Sequence, residues 1–206
     1  TSYRAPNLRE RFLNGTSGFS TISDPCVVPE AARDTDLGVS VAQVYNAEND
    51  TRESRIITSC INNGVDPLTL GLGTETDNGF TANTSTEVTT GGTQELNPET
   101  SLSKTYGFVI ENPFSEEFDM TFGITKYDIE ITNSVAEPSG GFLVNQCYDN
   151  IEVPDGTSGF CGAVQRDATT GRLSGVNASF VNIGLEGSSG TDYNLFYQQD
   201  FVVGDN

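Results

Sequence analysis

Apolar and polar side chains alternate with a period of two along the second half of the chain. The clearest stretches are Lys104 to Glu111, Val176 to Leu185 and Asp192 to Val203, and a longer one covers Phe118 to Val135. The residues that share a face are Tyr106, Phe108 and Ile110 in the first stretch, and Tyr193, Leu195 and Tyr197 in the last. Because side chains alternate between the two faces of a β-strand, this period predicts strands.

The stretch from Phe118 to Val135 is long for a strand of a soluble protein. Its apolar residues also change phase, being Met120, Phe122 and Ile124 before Lys126, and Tyr127, Ile129 and Ile131 after it. Such a change indicates a β-bulge, or a strand that passes from one environment into another. A transmembrane strand that continues above the bilayer has this pattern, and so does a twisted soluble strand with a bulge.

The first half of the chain is less regular. Two short helices are predicted, over Val39 to Tyr45 and Thr51 to Ile61, the second with Thr51 as its cap and with Ile56, Ile57 and Cys60 on one side. Residues 66–98 are rich in Gly, Thr and Asn and are predicted to be loop. Turns are predicted at Asn112 to Ser115 and at Arg166 to Arg172. No repeat and no domain boundary is visible, so residues 1–206 are treated as one fragment.

Four cysteines and no histidine restrict the chemistry of the chain. Cys26, Cys60, Cys147 and Cys161 form no C-x-x-C pair, and a site of mixed Cys and His ligands is excluded. Disulfides joining Cys26 to Cys60 and Cys147 to Cys161 are the natural interpretation, although other pairings and buried free thiols stay open. Two disulfides indicate an oxidising compartment.

The charge is strongly acidic, with 29 Asp and Glu against 10 Lys and Arg and a net charge of −19. Such a field repels nucleic acid and anionic lipid surfaces. No apolar run approaches the roughly 18–20 residues that a membrane-spanning helix needs. The first residues show neither an initiator Met nor a targeting pattern, so we expect the chain to be an excerpt from a longer protein.

Catalysis finds little support in the sequence. There is no histidine base and no Gly-x-Ser-x-Gly elbow. Glu116 with Glu117, or Asp149 with Asp155, could form a carboxylate dyad, but a solvated acidic surface is favoured. Asp149, Glu152 and Asp155 with Gly156 could offer oxygen ligands to calcium, but they do not follow the twelve-residue calcium loop. We therefore expect no enzyme, no cofactor and no metal.

Several segments, in order, resemble those of one family. Ser2 to Phe12 is similar to an aromatic-Arg-Ala-Pro-Asn segment at the end of a strand, and Gly91-Gly92 to Leu96–Thr100 to an Asn-Leu-x-Pro-Glu signature before a strand. Asp24 to Cys26 with Arg55 to Cys60 and Gly64 resembles one disulfide-bearing extracellular loop. The further matching segments are Phe122 to Ile131, Gln146 to Asp149, Phe160 to Cys161, Arg166-Asp167 with Gly171 to Val176, and Asn182 to Gly184 with Ser189 to Tyr193. Together they resemble the barrel region of TonB-dependent outer-membrane receptors.

The resemblance implies a mainly β fold of antiparallel strands and hairpins from a partial β-barrel, with long loops that carry short helices and two disulfides. The parent would import a small nutrient or metal chelate (a ferric siderophore, cobalamin, haem or a carbohydrate) across a bacterial outer membrane, contacting TonB through parts absent here. The fragment would supply barrel strands and ligand-capturing loops, with ligand-binding residues unassigned.

The expectation for the isolated fragment differs from that for its parent. Too few strands are present to close a barrel, so we expect the fragment itself to be soluble, with its aromatic faces packed on each other or on loops. The alternative is a free-standing secreted β-rich binding or adhesion module with the same cysteines.

Overall fold

The computed structural model describes residues 1–35, 42–74, 76–112, 118–200 and 204. Within them the strands are β1 (Ser2–Arg4), β2 (Thr16–Ser23), β3 (Arg33–Thr35), β4 (Gln43–Tyr45), β5 (Asn83–Thr90), β6 (Glu99–Glu111), β7 (Asp119–Thr132), β8 (Val135–Ala136), β9 (Val164–Arg166), β10 (Leu173–Asn177), β11 (Val181–Asn182) and β12 (Leu185–Gln198). The α-helices are α1 (Leu8–Phe12), α2 (Ser54–Asn62) and α3 (Gly140–Tyr148), and 3-10 turns cover Glu30–Ala32, Ala47–Asn49 and Gly159–Ala163.

The chain divides into two compact units. The sheet unit comprises Thr1–Asn7, Glu95–Ala136 and Asn182–Asn206. The disulfide unit comprises Leu8–Gln94 and Glu137–Val181.

The sheet unit is built on one antiparallel sheet in the order β1-β6-β7-β12. Its three long strands contain 13, 14 and 14 residues, and the central one is the richest in the Thr, Ile, Phe and Tyr that favour extended backbone. The sheet is open over the described residues, with β1 at one edge and β12 at the other. The mainly β, antiparallel fold class is therefore confirmed, without a closed barrel.

Pairing along β7 is uninterrupted on both sides. Glu111 lies opposite Thr121 and Thr100 opposite Thr132, and the β12 pairing runs from Gln198 opposite Asp119 to Leu185 opposite Thr132, with no shift of register. The change of apolar phase is therefore not a bulge. Apolar side chains move from one face of a regular strand to its other face.

The disulfide unit contains a second sheet in the order β2-β5-β10-β9, in which only β5 and β10 run parallel. Helix α3 begins at the cap Ser139, whose hydroxyl accepts a hydrogen bond from the Phe142 N–H. The buried core of this unit consists of Ile22, Cys26, Val27, Ile56, Cys60, Val65, Leu70, Leu143, Val144, Cys147, Tyr148, Leu173, Val176 and Ala178. These side chains come from strands, helices and loops alike, so the disulfide unit has a core of its own.

The helix predictions have mixed outcomes. The helix expected over Thr51 to Ile61 is confirmed as α2, but its N-cap is Glu53 rather than Thr51. The helix expected over Val39 to Tyr45 is wrong at its described end, because Gln43–Tyr45 is a strand that pairs with Arg33–Thr35. Its first residues, 39–41, lie outside the described residues.

The strand predictions in the second half hold better than the loop prediction. Strands occur where alternation predicted them around 104–111 and 118–135, while the stretch predicted over 176–185 is interrupted after Asn177. The strand predicted over 192–203 is present up to Gln198, and residues 201–203 lie outside the described residues. The loop predicted over 66–98 is wrong at Asn83–Thr90, which forms β5 between β2 and β10. The turn at 166–172 is confirmed by the bond from the Asp167 N–H to the Arg172 carbonyl. The turn predicted at 112–115 falls mostly outside the described residues.

Candidate functional site

One face of the long sheet carries a contiguous group of apolar and aromatic side chains. Directly opposed residues share a face, so the pairings place Phe108, Ile124 and Tyr193 in one row and Ile110, Phe122 and Leu195 in the next. We call the whole group the apolar band; its members are Tyr106, Phe108, Ile110, Met120, Phe122, Ile124, Tyr193, Leu195 and Tyr197. The ring of Phe118 lies 5.4 Å from that of Tyr197 and extends the band.

The apolar band is open to solvent. Tyr193 is 70% exposed and Leu195 66%, and the band residues of β6 are exposed as well. Only those of the central strand β7 are half-buried. The expectation that these aromatic faces pack on each other or on loops is therefore wrong, apart from the contact of Phe118 with Tyr197. Exposed apolar patches of this kind mark surfaces that are covered by another molecule or by lipid.

The band ends at a sharp polar boundary. The row that follows Phe108 and Ile124 contains Tyr106 opposite Lys126, and the next contains Lys104 opposite Asp128. All charged side chains of this face on β6 and β7 lie on that side of the boundary. Tyrosines at the edge of an apolar belt, followed by charges, are the pattern of a membrane interface.

On the opposite face of the same sheet, mostly polar side chains lie behind the band and apolar ones lie beyond the boundary. Behind the band it carries a cleft of about 690 Å³, lined by Thr121, Thr125, Asp192 and Asn194 together with Val109 and Phe196. Beyond the boundary, Tyr127, Ile129 and Ile131 occupy this face and are half-buried. The apolar side of β7 thus changes faces at the level where the charges begin.

Both predicted disulfides are present. Cys26 joins Cys60 and Cys147 joins Cys161, over sequence separations of 34 and 14 residues. Cys26, Cys60 and Cys147 are fully buried in the core of the disulfide unit. Two disulfides of this kind are typical of proteins that fold in an oxidising compartment.

Arginines organise the loops of the disulfide unit. Arg52 forms an ion pair with Asp50 at 2.7 Å and donates to the carbonyls of Cys26 and Pro67. The Arg52 side-chain hydrogen bonds are the main reason that the pKa of Asp50 falls to about 2; the Arg52 N–H and the Tyr45 hydroxyl also donate to it. Arg33 donates to the carbonyls of Val28, Gly71 and Phe80. These contacts satisfy backbone groups that no strand or helix pairs.

The acidic residues considered for catalysis or calcium have other partners. Asp149 pairs with Arg55 at 2.8 Å, and Asp155 accepts hydrogen bonds from the N–H and hydroxyl of Thr157, which lower its pKa. In the part of the chain that the structure describes, no three acidic or cysteine side chains are grouped so as to hold a metal ion. Glu116 and Glu117 lie outside the described residues.

A second cleft, of about 420 Å³, lies in the disulfide unit. Asp66, Asp77, Thr170, Arg172 and Phe80 contribute to its lining. Both carboxylates are engaged locally, since Asp66 accepts from the Leu68 N–H and Asp77 from the Gly79 N–H. Arg172 stacks on the Phe80 ring at 4.5 Å. The cleft is thus lined by groups that already bond to the loops.

Sequence reasoning missed two groups of residues. Lys104 and Lys126 stand at the boundary of the band, and the two-residue period would have placed them there once the register was known. The buried pair of Asp24 and Arg166 has no sequence signal, because 142 residues separate its members.

Comparison with family models, curated proteins and solved structures gives no match to this chain. Among the described residues, no helix has both the length and the apolar character to cross a membrane.

Proposed function

We propose that this chain is part of the wall and extracellular loops of an outer-membrane receptor of the TonB-dependent class, which takes up a scarce nutrient such as a metal chelate. In this proposal the apolar band faces lipid. The single observation that carries it is the band itself, an exposed apolar face that ends at a row of tyrosine and lysine on regular antiparallel strands.

The two-sided character of the sheet supports lipid as the covering phase. A strand of a membrane barrel is apolar outside and polar inside within the bilayer, and this pattern ends where the strand rises into water. On β7, Phe122 and Ile124 are on the band face, whereas Ile129 and Ile131 are on the other. A strand of a soluble sandwich keeps its apolar residues on one face throughout.

The disulfide unit supports a position outside the cell. Its two disulfides, its own core and its arginine-bonded loops give a rigid assembly that needs no lipid. Loops held rigidly in this way are where receptors place ligand contacts.

The lipid-facing role is tested by adsorption of the chain to phosphatidylcholine vesicles in a flotation assay. Leu195→Asp places a charge in the middle of the band and is expected to lower the bound fraction at least about ten-fold. The matched control is Phe196→Asp, because Phe196 is the next residue, is 53% exposed and lies on the opposite face. The control is expected to bind as the unchanged chain does. Equal binding by both variants, or no binding of the unchanged chain, contradicts the proposal.

A secreted binding or adhesion module is the second candidate, favoured by the independent core of the disulfide unit. The reading frame around this segment discriminates between the two. A preceding plug domain and further barrel strands support the receptor, and a signal peptide directly before Thr1 supports the module.

A further inference from the structure

The ten basic residues of the chain fall into two groups. All eight arginines bond to other groups of the chain; examples are Arg4 with Glu99, Arg9 with Glu137 and Arg55 with Asp149. The two lysines, Lys104 and Lys126, form no ion pair or hydrogen bond within the described residues. Two basic side chains without a partner in the described part of a chain with 29 acidic residues differ from all the arginines.

Lys104 and Lys126 lie close together on the face of the sheet that carries the apolar band. Lys126 lies opposite Tyr106 in the row next to the apolar band, and Lys104 lies one row further, opposite Asp128. They are diagonal neighbours on the same face, about 7–8 Å apart at the backbone. Both are exposed, and Lys104 makes no ion pair with Asp128 although the two face each other across the strands.

We infer that Lys104 and Lys126 form a binding site for the phosphate of anionic lipid headgroups at the edge of the apolar band. The inference rests on the proposed lipid-facing role of that band. When acyl chains cover Phe108 and Ile124, headgroups come level with the next rows, where the long lysine side chains reach them. Tyr106 lies opposite Lys126 in the first of these rows, and Tyr193 lies one row nearer the centre of the band, so both rings are at the edge of the band, where they suit the interface.

Lys126 lies between the apolar band and the acidic groups of this face, although the chain as a whole is acidic. At physiological salt, charges further than about 8 Å away are largely screened, so neighbouring groups decide the contact. Asp128 and Glu130 are the acidic groups of this face on β7, and both lie further from the band than Lys126. Lys126 is therefore the first charged side chain that a headgroup meets on this face, and Lys104 follows one row further, beside Asp128.

The test compares vesicles of phosphatidylcholine alone with vesicles of equal parts phosphatidylcholine and phosphatidylglycerol, using the full chain with its disulfides intact. The unchanged chain is expected to bind the mixed vesicles more tightly. The double variant Lys104→Gln with Lys126→Gln is expected to lose about 25-fold in affinity for the mixed vesicles, since each lysine near an anionic surface contributes about 1 kcal/mol. Its binding to phosphatidylcholine alone should stay unchanged.

The matched control is Arg11→Glu, which makes the same change of net charge at an exposed position of the disulfide unit. It should leave the preference for phosphatidylglycerol in place. The inference is overturned if the double lysine variant keeps that preference, if Arg11→Glu loses it equally, or if the unchanged chain has none. If the unchanged chain binds both kinds of vesicle equally and Leu195→Asp still lowers that binding, the lipid-facing role of the band stands although the lysine site is contradicted. Absence of all binding contradicts both.

Discussion

Arg166 binds Asp24 through both terminal nitrogens, with Nη1 2.7 Å from Oδ2 and Nη2 2.8 Å from Oδ1, across 142 residues of sequence. The guanidinium also lies 4.8 Å from the centre of the Tyr148 ring, and its Nε donates to the Tyr148 hydroxyl. Asp24 accepts a further hydrogen bond from the Cys26 N–H. The pair thus ties the first disulfide segment to strand β9 and helix α3 within the disulfide unit.

Breaking this pair is expected to be costly. Arg166→Met leaves the Asp24 carboxylate, whose side chain is 2% exposed, without its partner, and should lower the free energy of unfolding by about 3–5 kcal/mol. The control Arg9→Met breaks a pair whose side chains are 67% and 33% exposed and should cost less than about 1 kcal/mol. Urea unfolding measures both. Similar losses for the two variants would show that the buried pair has no special role.

Stability is expected to fall in acid through Asp50. Its pKa is lowered to about 2, first by the Arg52 side-chain hydrogen bonds, from an ordinary value near 3.8. A lowered pKa means that the contribution is fully present above about pH 4 and is lost as the pH falls toward 2. The difference in unfolding free energy between the unchanged chain and Asp50→Asn should shrink over that range. A difference that is constant from pH 7 to pH 2 contradicts this, and Asp200→Asn controls for the lost charge.

The two disulfides are expected to differ in strength. In the chain-entropy account, the closed loop of 34 residues stabilises more than the loop of 14 residues, by about 0.8 kcal/mol. Replacing Cys26 and Cys60 together by Ser should therefore lower the free energy of unfolding more than replacing Cys147 and Cys161. The reverse order in urea unfolding would show that packing around Cys147, rather than loop closure, dominates.

The ring of Tyr127 lies in the space that a side chain at Gly190 would occupy. A Cβ at this position would lie 2.5 Å from the Tyr127 hydroxyl and 2.7 Å from the adjoining ring carbon, so the ring would have to leave its place. Because the contacted atoms are the far end of a half-buried side chain that can turn away, Gly190→Ala should cost at most about 1 kcal/mol. Gly187→Ala, on the same strand, meets nothing closer than 3.8 Å and serves as the control, with little change expected. Thermal unfolding that ranks the two equally contradicts the close contact.

Local pattern predicted the long strands but not what surrounds them. Alternation in 104–111 predicted β6 and its faces, since a half-exposed strand displays its period directly. Strand β5 was missed because its inward residues Thr84 and Thr86 are polar, although both are buried. The helix prediction is wrong at Gln43–Tyr45 because three residues are too few to show a two-residue period. The strand forms through its pairing with Arg33–Thr35, which the local sequence does not reveal.

The candidate site was half visible in the sequence. The period of two identifies which residues of each strand share a face. Whether the faces of β6, β7 and β12 form one continuous surface depends on the register between these strands. The same register brings Lys104 and Lys126 together. Register is fixed by turns and by contacts between strands, which local composition does not encode.

The most direct test of the lipid-facing band uses the absence of tryptophan from the chain. Leu195→Trp and Phe196→Trp each introduce one fluorophore, on neighbouring residues that face opposite sides of β12. In vesicles of brominated phosphatidylcholine, the acyl bromines should quench the emission of Trp at 195 strongly and that of Trp at 196 little. Equal quenching at both positions, or none at 195, would contradict the account of this surface.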